Sequence, residues 1–127
     1  MSHTVLIVDD SKLARLSVRK AISATRPDWS SVEAADADQA LACLQSSGAD
    51  LALLDFNMPG MNGLEFAAEL RRRRPTMPIA LITANVQDTI ISQAREIGVG
   101  FIPKPISEES IGAFLSGAVL QLRRHAQ

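Results

Sequence analysis

The sequence predicts an α/β domain built on a doubly wound sheet of five parallel strands flanked by five helices, and three observations carry that prediction. Short apolar runs alternate with longer stretches of helical periodicity along the whole chain. The runs are continuously apolar, as in residues 51–54, which suits strands covered on both faces. Each run stops at polar or Gly/Pro-bearing residues, so short connections join the elements with right-handed crossovers.

Residues 4–8 form the first strand and stop abruptly at Asp9 and Asp10. A helix follows over residues 11–24, with Asp10 or Ser11 as its N-cap and Leu13, Leu16, Ile22 and nearby alanines as its apolar face. Pro27-Asp28 breaks it, and residues 31–35 make a short, weaker strand suited to an edge. The second helix covers residues 36–47, with Ala40, Leu41 and Leu44 at helical spacing and Gly48 as its stop. Residues 51–54 form the central strand, which delivers Asp55 to its carboxyl end before a turn punctuated by Pro59, Gly60 and Gly63. The third helix spans residues 64–74, with Leu64, Phe66, Ala67 and Leu70 facing inward. Residues 78–82 form the fourth strand, ending at Thr83-Ala84, and residues 86–97 form a fourth helix stopped by Gly98. Residues 100–102 make a short fifth strand leading into Pro103-Lys104-Pro105. Ser107 caps the last helix, whose first turn carries Glu108 and Glu109 and whose end carries Arg123 and Arg124, matching the helix dipole at both ends.

The chain has 127 residues, 46% hydrophobic and 21% charged, the balance of a soluble globular protein. With no repeat, linker or low-complexity segment, residues 1–127 are expected to form one domain, and the Met1 start and helical end point to a stand-alone protein. The net charge of −1 provides no bulk attraction to nucleic acid or an anionic membrane. One cysteine excludes an internal disulfide, and Cys43 among small and apolar neighbours reads as a buried core thiol. One cysteine with His3 and His125 near the termini gives no zinc spacing. The sequence carries neither a signal-peptide pattern nor an apolar run long enough for a membrane helix, so a cytoplasmic location is expected.

In a sheet of order 2-1-3-4-5, the first and third strands are neighbours flanking the switch-point crevice, where ligands bind. The strand ends then bring Asp9, Asp10, Asp55, Thr83 and Lys104 to one edge. Two carboxylates about 5 Å apart repel by roughly 3 kcal/mol at an effective dielectric near 20, so a triplet calls for a cation or raised pKa values. All-oxygen ligands suit magnesium or manganese. The loop after Asp10 contains no glycine, which argues against a P-loop or dinucleotide fingerprint. A metal, an ammonium and a hydroxyl are what a transferring phosphoryl group requires, and Asp55 can be the nucleophile that forms an aspartyl phosphate. Taken singly, Asp9-Asp10 could be a helix cap, Thr83 a turn residue and Lys104 a solvated charge.

With Asp9-Asp10, Leu54 through Gly63, Thr83-Ala84 and Phe101 through Lys104-Pro105 in place, the chain resembles, essentially end to end, a receiver domain of two-component response regulators of the small single-domain chemotaxis type. The resemblance implies a flavodoxin-like fold. It implies that Asp55 accepts a phosphoryl group from the phosphohistidine of a sensor histidine kinase or phosphotransfer protein. It also implies magnesium ligation by Asp10, Asp55 and the Asn57 backbone carbonyl, with Asp9 acting through water. Thr83 and Lys104 would bind phosphoryl oxygens, the Lys104-Pro105 bond would be cis, and Thr83 with Phe101 would form the switch. The output would be an altered surface of the fourth helix, fifth strand and fifth helix that controls a downstream protein, with no direct contact to nucleic acid or membrane. Such a domain catalyses its own phosphorylation and dephosphorylation and is not a turnover enzyme.

Two other readings stand beside this one: a metal-dependent phosphohydrolase, and an interaction-only receiver with a vestigial site. The phosphohydrolase lacks chain length for a substrate-enclosing cap. Arg71 to Arg74 read as a solvated helix end interacting with its own terminal carbonyls. Met58 and Met61 read as turn packing and Trp29 as a partly buried aromatic. Ile91 is either core or an exposed partner contact, since Ile90, Ala94 and Ile97 already supply an inward stripe.

Overall fold

The computed structural model describes residues 2–84 and 87–125. The elements run β1 (Thr4–Val8), α1 (Lys12–Thr25), β2 (Ser30–Ala34), α2 (Ala37–Ser46), β3 (Leu51–Asp55), α3 (Gly63–Arg73), β4 (Ile79–Thr83), α4 (Asp88–Glu96), β5 (Gly100–Pro103) and α5 (Glu108–His125). All strand pairs are parallel and the order is β2-β1-β3-β4-β5, as the sequence predicts. Boundaries shift by one or two residues at most of the ends. The fourth helix was expected from Val86, which lies outside the described residues; α4 begins at Asp88.

The helix starts follow from short polar side chains. Ser11 caps α1 by accepting from the Ala14 N–H, and Asp36 caps α2 by accepting from Gln39. At α3, Asn62 and Glu65 form a reciprocal capping box. Ser107 Oγ accepts from the Ser110 N–H at 3.0 Å at the head of α5.

Strand side chains alternate between two cores. Leu6, Val8, Ala52, Leu54, Ile79 and Leu81 pack toward α2, α3 and α4, against Leu44, Phe66, Leu70 and Ala94. Val5, Ile7, Leu51, Leu53, Ala80 and Ile82 pack toward α1 and α5, against Val18, Ile22, Ile111 and Leu115. Burial on both faces accounts for the unbroken apolar runs of β1, β3 and β4.

Several side chains lie elsewhere than expected. Leu13 and Leu16 do not belong to the apolar face of α1: they are 77% and 44% exposed. At 3.6 residues per turn, Leu13 stands nine residues, about two and a half turns, from Ile22 and therefore on the opposite side of the helix. The inner stripe is Val18, Ala21 and Ile22. Trp29 is buried, with the His3 ring edge-on at 4.9 Å and the Arg26 guanidinium 5.5 Å above it, at the edge of the sheet remote from Asp55. Cys43 is half-buried, its thiol directed to the Glu33 carbonyl at 3.7 Å. Met58 is buried, whereas Met61 is exposed. Among the described residues, no helix is long and apolar enough to cross a membrane.

Candidate functional site

The carboxyl ends of β1 and β3 are adjacent, because Val8 pairs with Leu54 across the central ladder. The next residues, Asp9 and Asp55, share the sheet face that carries Ile7 and Leu53. Carboxylate oxygens of Asp9, Asp10 and Asp55 all lie within 4.8 Å of one another. Asp9 and Asp55 are buried, at 6% and 3% exposure, while Asp10 faces solvent. Lys104 Nζ lies 2.7 Å from Asp55 Oδ1. Apart from that ion pair, this buried oxygen has no hydrogen-bond partner among the described residues.

The electrostatics match the crowding. Burial raises the Asp9 carboxyl above its ordinary range, and the neighbouring charge of Asp55 adds to the effect. The Ser11 N–H, donating to Asp9 Oδ1 at 2.9 Å, and Lys104 pull the other way without cancelling it.

Thr83 ends β4 and is 1% exposed. Its carbonyl accepts the Lys104 N–H at 3.0 Å, so the ladder between β4 and β5 continues to the base of the lysine. The Lys104–Pro105 peptide is cis. Asn57 is exposed in the turn two residues beyond Asp55, and Phe101 is half-buried on β5, paired with Leu81. The first turn of α3 closes directly on the β3 end. The Gly63 N–H donates to the Phe56 carbonyl at 2.8 Å, and a Cβ at Gly63 would collide with the Asp55 carbonyl oxygen and stand 2.8 Å from Phe56 Cα. Only glycine permits that approach. Gly60, in the same turn, has φ of 79°, the left-handed region. An open, largely apolar groove of about 480 Å³ adjoins the acids, between Ala14, Ser17 and Val18 of α1 and the segment Lys104, Pro105 and Ile106.

Of the residues expected from the sequence, the structure brings together the side chains of Asp9, Asp10, Asp55 and Lys104, and Thr83 adjoins them through its backbone carbonyl. Sequence reasoning missed Arg15 and Glu33. Arg15 Nε donates to Glu33 Oε1 at 2.9 Å and Arg15 Nη1 to the Asp9 carbonyl at 2.6 Å. The available signal was its position, seven residues or about two turns before Ile22 and therefore on the inward face of α1.

The basic run divides. Arg71 is half-buried and donates to five carbonyls, including Ile97 and Gly98 beyond α4. Arg72 and Arg73 pair with Glu69, lowering its carboxyl below the usual range chiefly through the Arg73 hydrogen bond.

Residues 5–116 match the family model described as the response regulator receiver domain. The chain belongs to that family. It is 28% identical to the chemotaxis protein CheY4 of Vibrio cholerae, with a TM-score of 0.83, over 93% of this chain and 99% of that one. It is 39% identical to the cyclic di-GMP phosphodiesterase response regulator RpfG of Xanthomonas campestris pv. campestris, over 97% of this chain and 33% of that protein. Identity to the glycerol metabolism activator of Pseudomonas putida is 38%, over 92% of this chain and 56% of that protein. The chain therefore spans a third to just over half of these two relatives' length. As a receiver domain it is a phosphorylation-dependent signalling switch of two-component systems, a class in which an aspartate carries the phosphoryl group and a kinase and a downstream effector are the partners. Receiver domains are generally not turnover enzymes, and they bind a divalent cation at an acidic pocket; here Asp9, Asp10 and Asp55 form a cluster that could hold one.

Proposed function

We propose that Asp55 is the phosphoacceptor of a magnesium-dependent phosphotransfer switch whose output surface is formed by α4, β5 and α5. One observation carries the reading. A nearly buried carboxylate at the end of the central strand meets an ammonium on one side and two further carboxylates on the other.

A divalent cation fits the donors present. Three carboxylates converge, and among the described residues the buried Oδ1 of Asp55 has only Lys104 opposite it. Asp10, Asp55 and the Asn57 backbone carbonyl would hold magnesium, with Asp9 acting through water; manganese suits the same oxygens. When bound, the ion supplies positive charge that offsets the carboxylates and the charge of a transferring phosphoryl group.

In the transfer, an Asp55 carboxylate oxygen bonds to phosphorus as the phosphorus–nitrogen bond of a kinase or phosphotransfer-protein phosphohistidine breaks. The electron pair stays with the imidazole. Lys104 stabilises a phosphoryl oxygen through its ammonium and Thr83 through its hydroxyl. The chain thereby catalyses its own phosphorylation, and by attack of water on the acyl phosphate its own dephosphorylation, without turning over an external substrate. The groove beside the acids is open to solvent rather than enclosed, which favours the phosphotransfer reading over a phosphohydrolase. An intact acid–lysine constellation favours it over a vestigial site. Residues 1–127 act as one receiver, in the cytoplasm, without direct contact to nucleic acid or membrane.

Incubation with acetyl phosphate or a cognate kinase tests the assignment. Wild type takes up hydroxylamine-labile phosphate, and Asp55→Asn takes up none; full labelling of that variant at another carboxylate would sink it.

A further inference from the structure

We infer that Arg15 is a positioning residue for the acidic pair, a role that rests on the metal reading above. Its guanidinium bridges two elements. Nε donates to Glu33 Oε1 on β2 at 2.9 Å, and Nη1 donates to the Asp9 backbone carbonyl at 2.6 Å. The side chain is 15% exposed, so both bonds lie largely out of water, where charge-assisted contacts are strongest.

The effect reaches Asp10 through covalent geometry. The Asp9 carbonyl, the Asp10 nitrogen and the Asp10 Cα lie in one peptide plane. Holding that oxygen fixes the plane and with it the origin of the Asp10 side chain. The preceding peptide is fixed as well, because the Asp9 N–H donates to the Ala34 carbonyl at 3.1 Å. Asp9 Oδ1 is held by the Ser11 N–H. The turn that carries two of the three clustered carboxylates is thus tied on one side to β2 and on the other, through Arg15 and Glu33, to the same strand. Three carboxylates repel one another, and without such ties the exposed Asp10 would swing away from the cluster.

Arg19 provides an internal control. It pairs with the other oxygen of the same carboxylate, Nη1 to Glu33 Oε2 at 2.9 Å, one turn further along α1. No hydrogen bond ties its side chain to the acidic turn among those described. Loss of either arginine removes one ion pair to Glu33; only loss of Arg15 releases the Asp9 carbonyl.

The test is magnesium titration by calorimetry of the full chain as wild type, Arg15→Met, Arg15→Lys, Arg19→Met and Asp10→Asn, with circular dichroism to verify the fold. Partners that hold metal ligands in place typically govern affinity by about 10–100-fold. Arg15→Met is expected to weaken binding by at least about tenfold and Arg19→Met by no more than about twofold. Arg15→Lys, whose single ammonium lacks the planar fork, falls between them. Equal affinity in wild type and folded Arg15→Met overturns the inference, and so does an equal loss in Arg19→Met. If Arg15→Met does not fold, Arg15→Lys decides: a loss of about threefold supports the role and unchanged affinity overturns it. A wild type that binds no magnesium overturns the metal reading and this inference with it. Binding that Asp10→Asn abolishes but Arg15 leaves untouched overturns only the inference.

Discussion

Thr83 and Phe101 are diagonal neighbours on one face of the sheet. Leu81 pairs with Phe101 across β4 and β5 and Thr83 pairs with Pro103, and the two-residue period returns Thr83 to the face of Leu81. That face packs against α3 and α4, since Leu81 shares its core with Phe66 and Ala94. Thr83 is buried beside the lysine that meets Asp55, so a hydroxyl drawn toward a new phosphoryl group would change the space next to a half-buried phenylalanine. Fuller burial of Phe101 contributes up to about 2 kcal/mol, enough to shift a population roughly thirtyfold. Adding beryllofluoride and magnesium is expected to move resonances of Phe101 and α4, including the half-buried Ile91, in wild type and to move them much less in Thr83→Ala. Full movement without the hydroxyl would refute the coupling.

Metal affinity is expected to depend on Asp10 more than on Asp9, by about tenfold or more, because a direct ligand contributes a charge-assisted bond that a water-bridged one does not. Calorimetry of Asp10→Ala and Asp9→Ala checks this. Trp29 fluorescence is a poor reporter, since the indole is buried under Arg26 at the opposite edge of the sheet. Unaltered affinity in both variants would place the metal elsewhere.

Asp9 makes metal-free stability depend on pH in a definite direction. Its folded pKa is raised, chiefly by burial, above the ordinary value of 3.8. Below that value the group is protonated in both states and carries no penalty. As pH rises the unfolded chain ionises first, so the folded state loses stability until pH passes the raised pKa. Urea unfolding without metal is therefore expected to show Asp9→Asn gaining on wild type as pH increases through this window, with the gap then constant. A gap independent of pH would mean that Asp9 carries no such penalty.

Arg71 is expected to matter far more than its two neighbours in the basic run. Its guanidinium donates to the carbonyls of Arg74, Pro75, Met77, Ile97 and Gly98 at 2.7–3.2 Å. Arg71→Met removes charge-assisted bonds and strands partly buried acceptors, at a cost of about 2 kcal/mol or more. Arg72→Ala and Arg73→Ala lose ion pairs to Glu69 from exposed side chains and should each shift the urea midpoint far less than Arg71→Met does. Urea midpoints rank the three variants, and equal small losses would contradict the assignment.

The sheet was legible because continuous apolar runs, punctuated by glycine and proline, report burial on both faces regardless of detail. Asp9, Asp10, Asp55, Thr83 and Lys104 were legible because parallel strands deliver their last residues to one edge. The misplacement of Leu13 and Leu16 has a different origin. Composition marks them as apolar, but helical phase turns Leu13 to the side opposite Ile22 and Leu16 nearly opposite Val18, where they remain exposed. Arg15 and Arg71 were hidden for the converse reason: their chains are charged, yet carbonyls and a carboxylate folded in from distant segments make burial tolerable. Pairings such as Arg71 with Ile97, 26 residues apart, have no local signature.

The same arginine has a mechanical consequence for α4. It clamps the chain just beyond the last turn, at Ile97 and Gly98, while the first turn begins four residues after Ala84. A rod of nine residues is about 13 Å long at 1.5 Å per residue, so a tilt of roughly 10° about the clamped end displaces the other end by about 2 Å. Motion in such a lever is greatest near Asp88 and vanishes toward Glu96. A partner that reads this helix gains the most by gripping its amino-terminal half.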